Sequence, residues 1–191
     1  SRMHTENVTM VLEETLNKAN MTMDDIDAIA VTYAPGLLGS LLVGVEFAKT
    51  MSFVYKKPLI AVNHIAGHIY ANNLEKPMQF PLLALVVSGG HTDLILMKGD
   101  YQFEHIGGTL DDAIGEAYDK VARVIGLGYP GGPKIDKLAR EEGKESDLKF
   151  PRVYLEEDSF DCNFSGLKSA VINYINTQNM KGASINKADV A

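Results

Sequence analysis

Apolar residues recur at helical spacing from the start of the chain. Val8, Val11, Leu12, Leu16 and Ala19 fall on one face and predict an amphipathic helix over residues 6–19. After Asp24-Asp25-Ile26-Asp27 the pattern changes to Ala28-Ile29-Ala30-Val31-Thr32, which predicts a short buried strand. The stretch Tyr33-Ala34-Pro35-Gly36-Leu37-Leu38-Gly39-Ser40 reads as a loop into an apolar helix over 41–55, where Gly44 and Ala48 permit close packing. Lys57-Pro58 ends that helix, residues 59–62 form a second strand, and a helix over 63–74 follows with Asn63 at its N-cap. Strand, helix, strand and helix in tight succession predict parallel α/β architecture.

The pattern then changes. Pro77-Met78-Gln79-Phe80-Pro81 reads as a linker, dividing the chain into residues 1–76, a linker over 77–81 and a second part over 82–191. Residues 82–87 predict a buried strand, Ser88-Gly89-Gly90 a turn, and 92–97 its hairpin partner, with a third strand over 101–106. A helix follows Asp111-Asp112, with Ala113, Ile114, Ala117, Val121, Ala122 and Ile125 as its apolar positions, and Gly126-Leu127-Gly128 stops it. Tyr129-Pro130-Gly131-Gly132-Pro133 predicts a rigid turn before a helix over 134–140. Residues 141–161 are charged and irregular, and Asp161-Cys162-Asn163-Phe164-Ser165-Gly166-Leu167-Lys168 leads into a last helix running to about residue 176.

Composition narrows the class. The chain has 191 residues, 46% of them hydrophobic, and a formal net charge of −7, which gives no support to a strongly basic nucleic-acid binder. One cysteine, Cys162, excludes a disulfide framework, and the apolar runs are too short to span a bilayer. A cytoplasmic protein with no membrane association is the expectation. The chain opens on Ser1-Arg2-Met3-His4 and ends on Asp189-Val190-Ala191 without the usual punctuation, so a piece of a longer protein is expected.

Candidate chemistry gathers at three places. His64 and His68 stand four residues apart on a helix, on one face, where two neutral imidazoles can reach one divalent ion. Alone, that spacing suits packing or surface histidines as well. His64 sits just beyond the carboxyl end of a strand, where ligands gather in parallel sheets. Ser88-Gly89-Gly90-His91-Thr92 offers backbone amides and two hydroxyls at a tight turn, which suits a phosphate or a carboxylate. Asp111, Asp112 and Glu116 near a helix start serve its positive end, and Asp119 in the helix body reads as solvated. Asp136 lies on the first turn after Pro-Gly-Gly-Pro. The loop at 33–40 is either a strand-to-helix turn before a buried helix or an interface or anion site, and it lacks the ending of a P-loop. Cys162 lacks an activating neighbour in sequence and reads as a bystander thiol.

The segments NHIAGHIYAN, LALVVSGGHTDL, TLDDAIGEAYDKVARVIGLGYPGGPKIDKLA and FSGLKSAV, in this order, resemble the universal tRNA N6-adenosine threonylcarbamoyltransferase family, bacterial branch, once labelled O-sialoglycoprotein endopeptidases. The resemblance implies an incomplete two-lobe fold of the actin, Hsp70 and sugar-kinase type. It implies that His64 and His68 hold iron or zinc, iron foremost. It implies that Val87, Ser88, Gly89, Gly90 and His91, with Asp119, Gly132 and Asp136, contact threonylcarbamoyl-AMP. The implied reaction passes the threonylcarbamoyl group to N6 of the tRNA adenosine beside the anticodon, in tRNAs reading codons that begin with A. Expected partners are tRNA, an inactive paralogue forming a heterodimer, an ATPase and a possible second copy. The family's opening phosphate-contacting motif, a late aspartate completing the metal site and a late asparagine at the nucleotide find no match here. The chain is therefore expected to be inactive alone.

Three rival readings suit the residues less well. A metalloprotease helix carries Glu after its first histidine as general base, whereas Ile65 cannot take a proton. A sugar kinase or ATPase would hold magnesium through oxygens and give a histidine pair little purpose. A non-catalytic dimerising module of the same family would use the helix over 41–55, although the family's inactive paralogue lacks the paired histidines.

Overall fold

A computed structural model describes residues 2–143, 148–151 and 158–191. Packing divides the chain into two compact units, Ser1–Met78 and Gln79–Ala191. Both are mixed α/β, each built on one small sheet.

The first unit runs α1 (Arg2–Ala19), β1 (Ile29–Ala34), α2 (Leu38–Tyr55), β2 (Leu59–Asn63) and α3 (His64–Tyr70). β1 and β2 pair in parallel, from Ile29 opposite Leu59 to Thr32 opposite Val62, with an irregularity before Ala34 meets Asn63. The connecting helix α2 packs on β1 at Gly44, where an added Cβ would lie 3.7 Å from Val31 Cγ2. It ends where Lys56 turns left-handed (φ 53°) and the Ser52 carbonyl accepts the Lys57 amide at 3.1 Å, one residue before Pro58. The reading of α2 as a buried helix does not hold: among its residues only Ala48 is buried. No residue of α1 is fully buried either; Val8, Leu12 and Leu16 of its apolar stripe are half-buried and its other residues exposed.

The second unit begins with an antiparallel sheet, β3 (Leu82–Val87), β4 (Thr92–Met97) and β5 (Phe103–Gly108), in that spatial order. The hairpin runs from Leu82 opposite Met97 to Val87 opposite Thr92. Among the described residues four helices follow: α4 (Ile114–Val124), α5 (Gly131–Glu142), α6 (Ser165–Met180) and the short α7 (Lys187–Val190). Ile125, Val171 and Ile175 centre the helical core, joined by Val121, Leu127, Leu167 and Tyr174.

Several expectations need correction. β3 is not buried on both faces, because Leu83, Leu85 and Val87 are 59%, 67% and 51% exposed. An unbroken apolar run signals two covered faces; the described residues cover only the face carrying Val86, Ile95 and Met97. The histidine helix ends at Tyr70 and tightens into a 3₁₀ turn over Ala71–Leu74. α5 begins at Gly131 rather than Lys134. Pro133 falls in its first turn, where the missing amide has no helical partner to lose. Of the irregular stretch expected over 141–161, residues 144–147 and 152–157 lie outside the described residues.

Candidate metal centre and substrate loops

The histidine pair is set by one cap. Asn63, the last residue of β2, accepts the Ile65 and Ala66 amides on its Oδ1 at 2.9 and 3.1 Å, which starts α3 at His64. Ala66 and Ile69 are the buried residues of this helix. At 100° per residue they lie opposite the stripe of His64 and His68, so burying them turns both imidazoles outward. His64 is half-buried and His68 exposed.

Their Nε2 atoms stand 3.2 Å apart and the rings meet edge-on at 76°. A tetrahedral or octahedral ion holding two imidazoles at about 2.1 Å spaces their nitrogens roughly 3.0–3.4 Å apart. The pair therefore fits a shared divalent ion. Without an ion, the same distance suits a hydrogen bond from a protonated to a bare nitrogen. Among the described residues no group of three or more His, Cys, Asp or Glu side chains is placed to hold a metal, so the pair supplies two ligands.

The loop after β3 is organised by Ser88. Its amide donates to the His91 carbonyl at 2.8 Å, and its Oγ accepts the Gly90 and His91 amides at 3.3 and 3.0 Å. Two amides expected to face a ligand are thus turned onto the serine hydroxyl. The second hydroxyl is also committed: Thr92, only 6% exposed, accepts the Ile114 amide on Oγ1 at 2.9 Å and fixes where α4 begins. Gly89 and Gly90 leave open space, since a Cβ on either would meet nothing within 4 Å.

One stripe of α4 then carries both glycine segments. A Cβ on Gly115 would lie 2.4 Å from the Ser88 carbonyl oxygen and 2.8 Å from the Gly89 nitrogen. One turn along, Asp119 is not solvated as expected but half-buried, its Oδ1 accepting the Gly131 amide at 2.7 Å. Gly131 is itself crowded, with a Cβ placed 2.6 Å from Asp119 Cα and from the Tyr118 carbonyl oxygen. The next residue, Gly132, is open. The loop of Val87 to His91, Asp119 and Gly132 are therefore brought together by α4. Asp136 lies one turn beyond Gly132 on α5, exposed and paired with Arg140 at 2.9 Å.

The acids before α4 serve α6 instead. Asp111 accepts the Phe164 and Ser165 amides at 2.9 and 3.2 Å and the Ser165 hydroxyl, which caps α6. Burial raises the Asp111 pKa. The hydrogen bonds from Ser165, the Phe164 amide and Thr109 outweigh that and hold the carboxyl below its usual range. Asp112 forms a half-buried ion pair with Lys168, also on α6. Cys162 hydrogen-bonds through its backbone to Gly108 and Leu110; burial, then the charges of Asp161, Asp111 and Asp93, push its thiol pKa up. A thiol so placed is a poor nucleophile.

Sequence reasoning missed Gly115 and Ser165, and it placed Thr92 at a ligand rather than at the start of α4. A glycine inside a helical pattern costs about 1 kcal/mol relative to alanine, and that was the one signal available for Gly115. The partners of Thr92 and Ser165 lie too far along the chain for any local pattern.

A profile of the tRNA N6-adenosine threonylcarbamoyltransferase family matches residues 1–191. The protein of that name from Staphylococcus saprophyticus is 61% identical over the whole of this chain, which covers 55% of that protein. Its counterpart from Staphylococcus carnosus is 60% identical over the same span and share. The chain thus spans about half the length of the curated relatives it matches. YeaZ from Pseudomonas aeruginosa aligns over 98% of this chain and 83% of its own, at 11% identity and a TM-score of 0.39, too slight a likeness to bear on the fold.

Proposed function

The chain belongs to the tRNA N6-adenosine threonylcarbamoyltransferase family, and on that premise we propose the activity of the full-length protein that contains it. That protein transfers a threonylcarbamoyl group from threonylcarbamoyl-AMP to N6 of the adenosine 3′-adjacent to the anticodon, in tRNAs reading codons that begin with A. The observation that carries this reading is the 3.2 Å approach of the His64 and His68 Nε2 atoms in a chain of this family. The two units are parts of the two lobes of an actin, Hsp70 and sugar-kinase-like fold.

The step is a carbamoyl transfer. The N6 amine attacks the carbamoyl carbon, the bond from that carbon to the phosphate oxygen breaks, AMP leaves with the electron pair, and the amine proton passes to solvent. No nucleophile from the protein is needed, which agrees with the inert setting of Cys162. His64 and His68 would hold a divalent ion, iron foremost, whose chemistry is to bind and polarise the transferred group as a Lewis acid. The loop of Val87 to His91 cradles the adenylate phosphate, its Gly90 and His91 amides passing from Ser88 Oγ to the ligand. Gly132 admits close backbone approach, and Asp136 accepts hydroxyl groups of the nucleotide.

Partners follow from the same premise. α2 exposes Leu38 (72%) and Phe53 (86%) with Leu42 and Val54, an apolar surface suited to the family's non-catalytic paralogue. A second copy of this chain is the competing occupant, and an ATPase subunit completes the set. Among the described residues no helix is long and apolar enough to cross a membrane. A cytoplasmic encounter with tRNA follows from the family premise.

The test uses the full-length protein with its partner subunits, unmodified tRNA and threonylcarbamoyl-AMP. Nucleoside mass spectrometry should detect threonylcarbamoyladenosine with one AMP released per group transferred, and His64→Ala should abolish both. AMP release with no modified nucleoside would refute the reading.

A further inference from the structure

We infer that Gly115 is a positioning residue, whose missing side chain sets the distance between α4 and the loop of Ser88 to His91 and so the geometry in which that loop receives its ligand. The inference rests on the adenylate reading of that loop, but its structural half stands apart from it. The contact is between backbone and backbone. A Cβ at position 115 would stand 2.4 Å from the Ser88 oxygen, 2.7 Å from the Ser88 carbonyl carbon and 2.8 Å from the Gly89 nitrogen. None of these atoms belongs to a flexible side chain that could swing aside. Ordinary contact begins near 3.4 Å, so alanine would displace the loop from the helix by about 1 Å.

The loop is already tied from within and from below. Ser88 Oγ accepts the Gly90 and His91 amides, and Thr92 holds the Ile114 amide, one residue before Gly115. A shift at Ser88 therefore carries Gly89, Gly90 and His91 with it. Gly89 and Gly90 leave open space, with no atom beyond their chain neighbours within 4 Å of a would-be Cβ on either. The helix thus sets the loop's height and the open side meets the ligand. One turn along the same stripe, Asp119 holds Gly131 by a 2.7 Å hydrogen bond, so α4 sets the loop against the Gly131-Gly132 turn. Moving one while the other stays anchored changes the gap that an adenylate must bridge.

The test compares wild type and Gly115→Ala in the full-length protein with its partners. Residue-resolved amide exchange is followed beside the Kd for AMP and the kcat and KM for threonylcarbamoyl-AMP. The Gly90 and His91 amides should lose protection in the variant while β4 and α6 keep theirs. Kd for AMP should rise at least about tenfold, and kcat/KM should fall about 100-fold, the scale of a 1 Å misplacement, with the larger share in KM. A merely structural role would lower protection across the unit and leave KM unchanged for the fraction that remains folded. Unchanged exchange at Gly90 and His91 with Kd within twofold of wild type would overturn the inference. Altered exchange in a protein whose wild type binds no AMP would uphold the positioning and sink the adenylate reading. If Gly115→Ala does not fold, Thr92→Val removes the hydroxyl that anchors the helix start. It should give the same changes at smaller size, and no change would overturn the inference equally.

Discussion

In the first unit the groups proposed to meet a ligand are two imidazoles on a helix of seven residues, held in place by the Asn63 cap and by the burial of Ala66 and Ile69. In the second they are backbone atoms of two glycine segments, held by contacts that leave no room for a Cβ at Gly115 or Gly131. Side chains that point outward can be exchanged with little effect on the fold, so the histidine centre separates function from stability. Backbone surfaces cannot be exchanged in that way. In the second unit the contacts that shape the glycine segments also pack the helices at Gly131, so a substitution there should lower function and stability together.

The sharpest way to break this contrast is Gly131→Ala. Its Cβ would press on backbone atoms of Tyr118 and Asp119, and overpacking of this kind costs about 2–3 kcal/mol. Urea unfolding should show a loss of that size in the second unit. Asp111→Ala comes next, with about 1–2 kcal/mol lost as α6 gives up its cap. The pH dependence follows from the lowered pKa of this carboxyl. Its folded state binds fewer protons than its unfolded state through the acid range. The stabilisation is complete above the unfolded pKa of about 3.9 and is lost as pH falls through the lower folded value. Asp111→Asn should flatten that part of the acid limb, as thermal melts at a series of pH values would register.

In the first unit the effects should be smaller. Asn63→Ala removes the acceptor for two amides and should cost about 1 kcal/mol, with fraying of α3 seen by amide exchange. His68→Ala alters an exposed side chain and should change stability by less than about 0.5 kcal/mol. A loss of several kcal/mol there would mean that the histidines are structural and would erase the contrast.

What the sequence discloses divides by the range of the contact rather than by unit. The strand limits of β3 and β4 and the cap at Asn63 were legible because period, turn residues and capping act over a few positions. The stripe of His64 and His68 was legible for the same reason. The role of α4 was not. Thr92 meets Ile114 across 22 residues, and Asp111 meets Phe164 and Ser165 across 53 and 54, so chain periodicity carries no trace of either pairing. From sequence Asp119 reads as solvated, because a carboxylate in a helix body usually is. It is half-buried here because Gly131 brings an amide to within 2.7 Å. The apolar run of β3 announced two covered faces, and only one is covered by the described residues.

The most direct measurement is metal content by elemental analysis of the full-length protein, beside His64→Ala and His68→Ala, with folding confirmed by circular dichroism. The account predicts close to one divalent ion per chain in the wild type, its loss in both variants, and folds that remain intact. A full-length protein without metal, or variants that keep it, would contradict the central claim that the paired imidazoles form the metal centre.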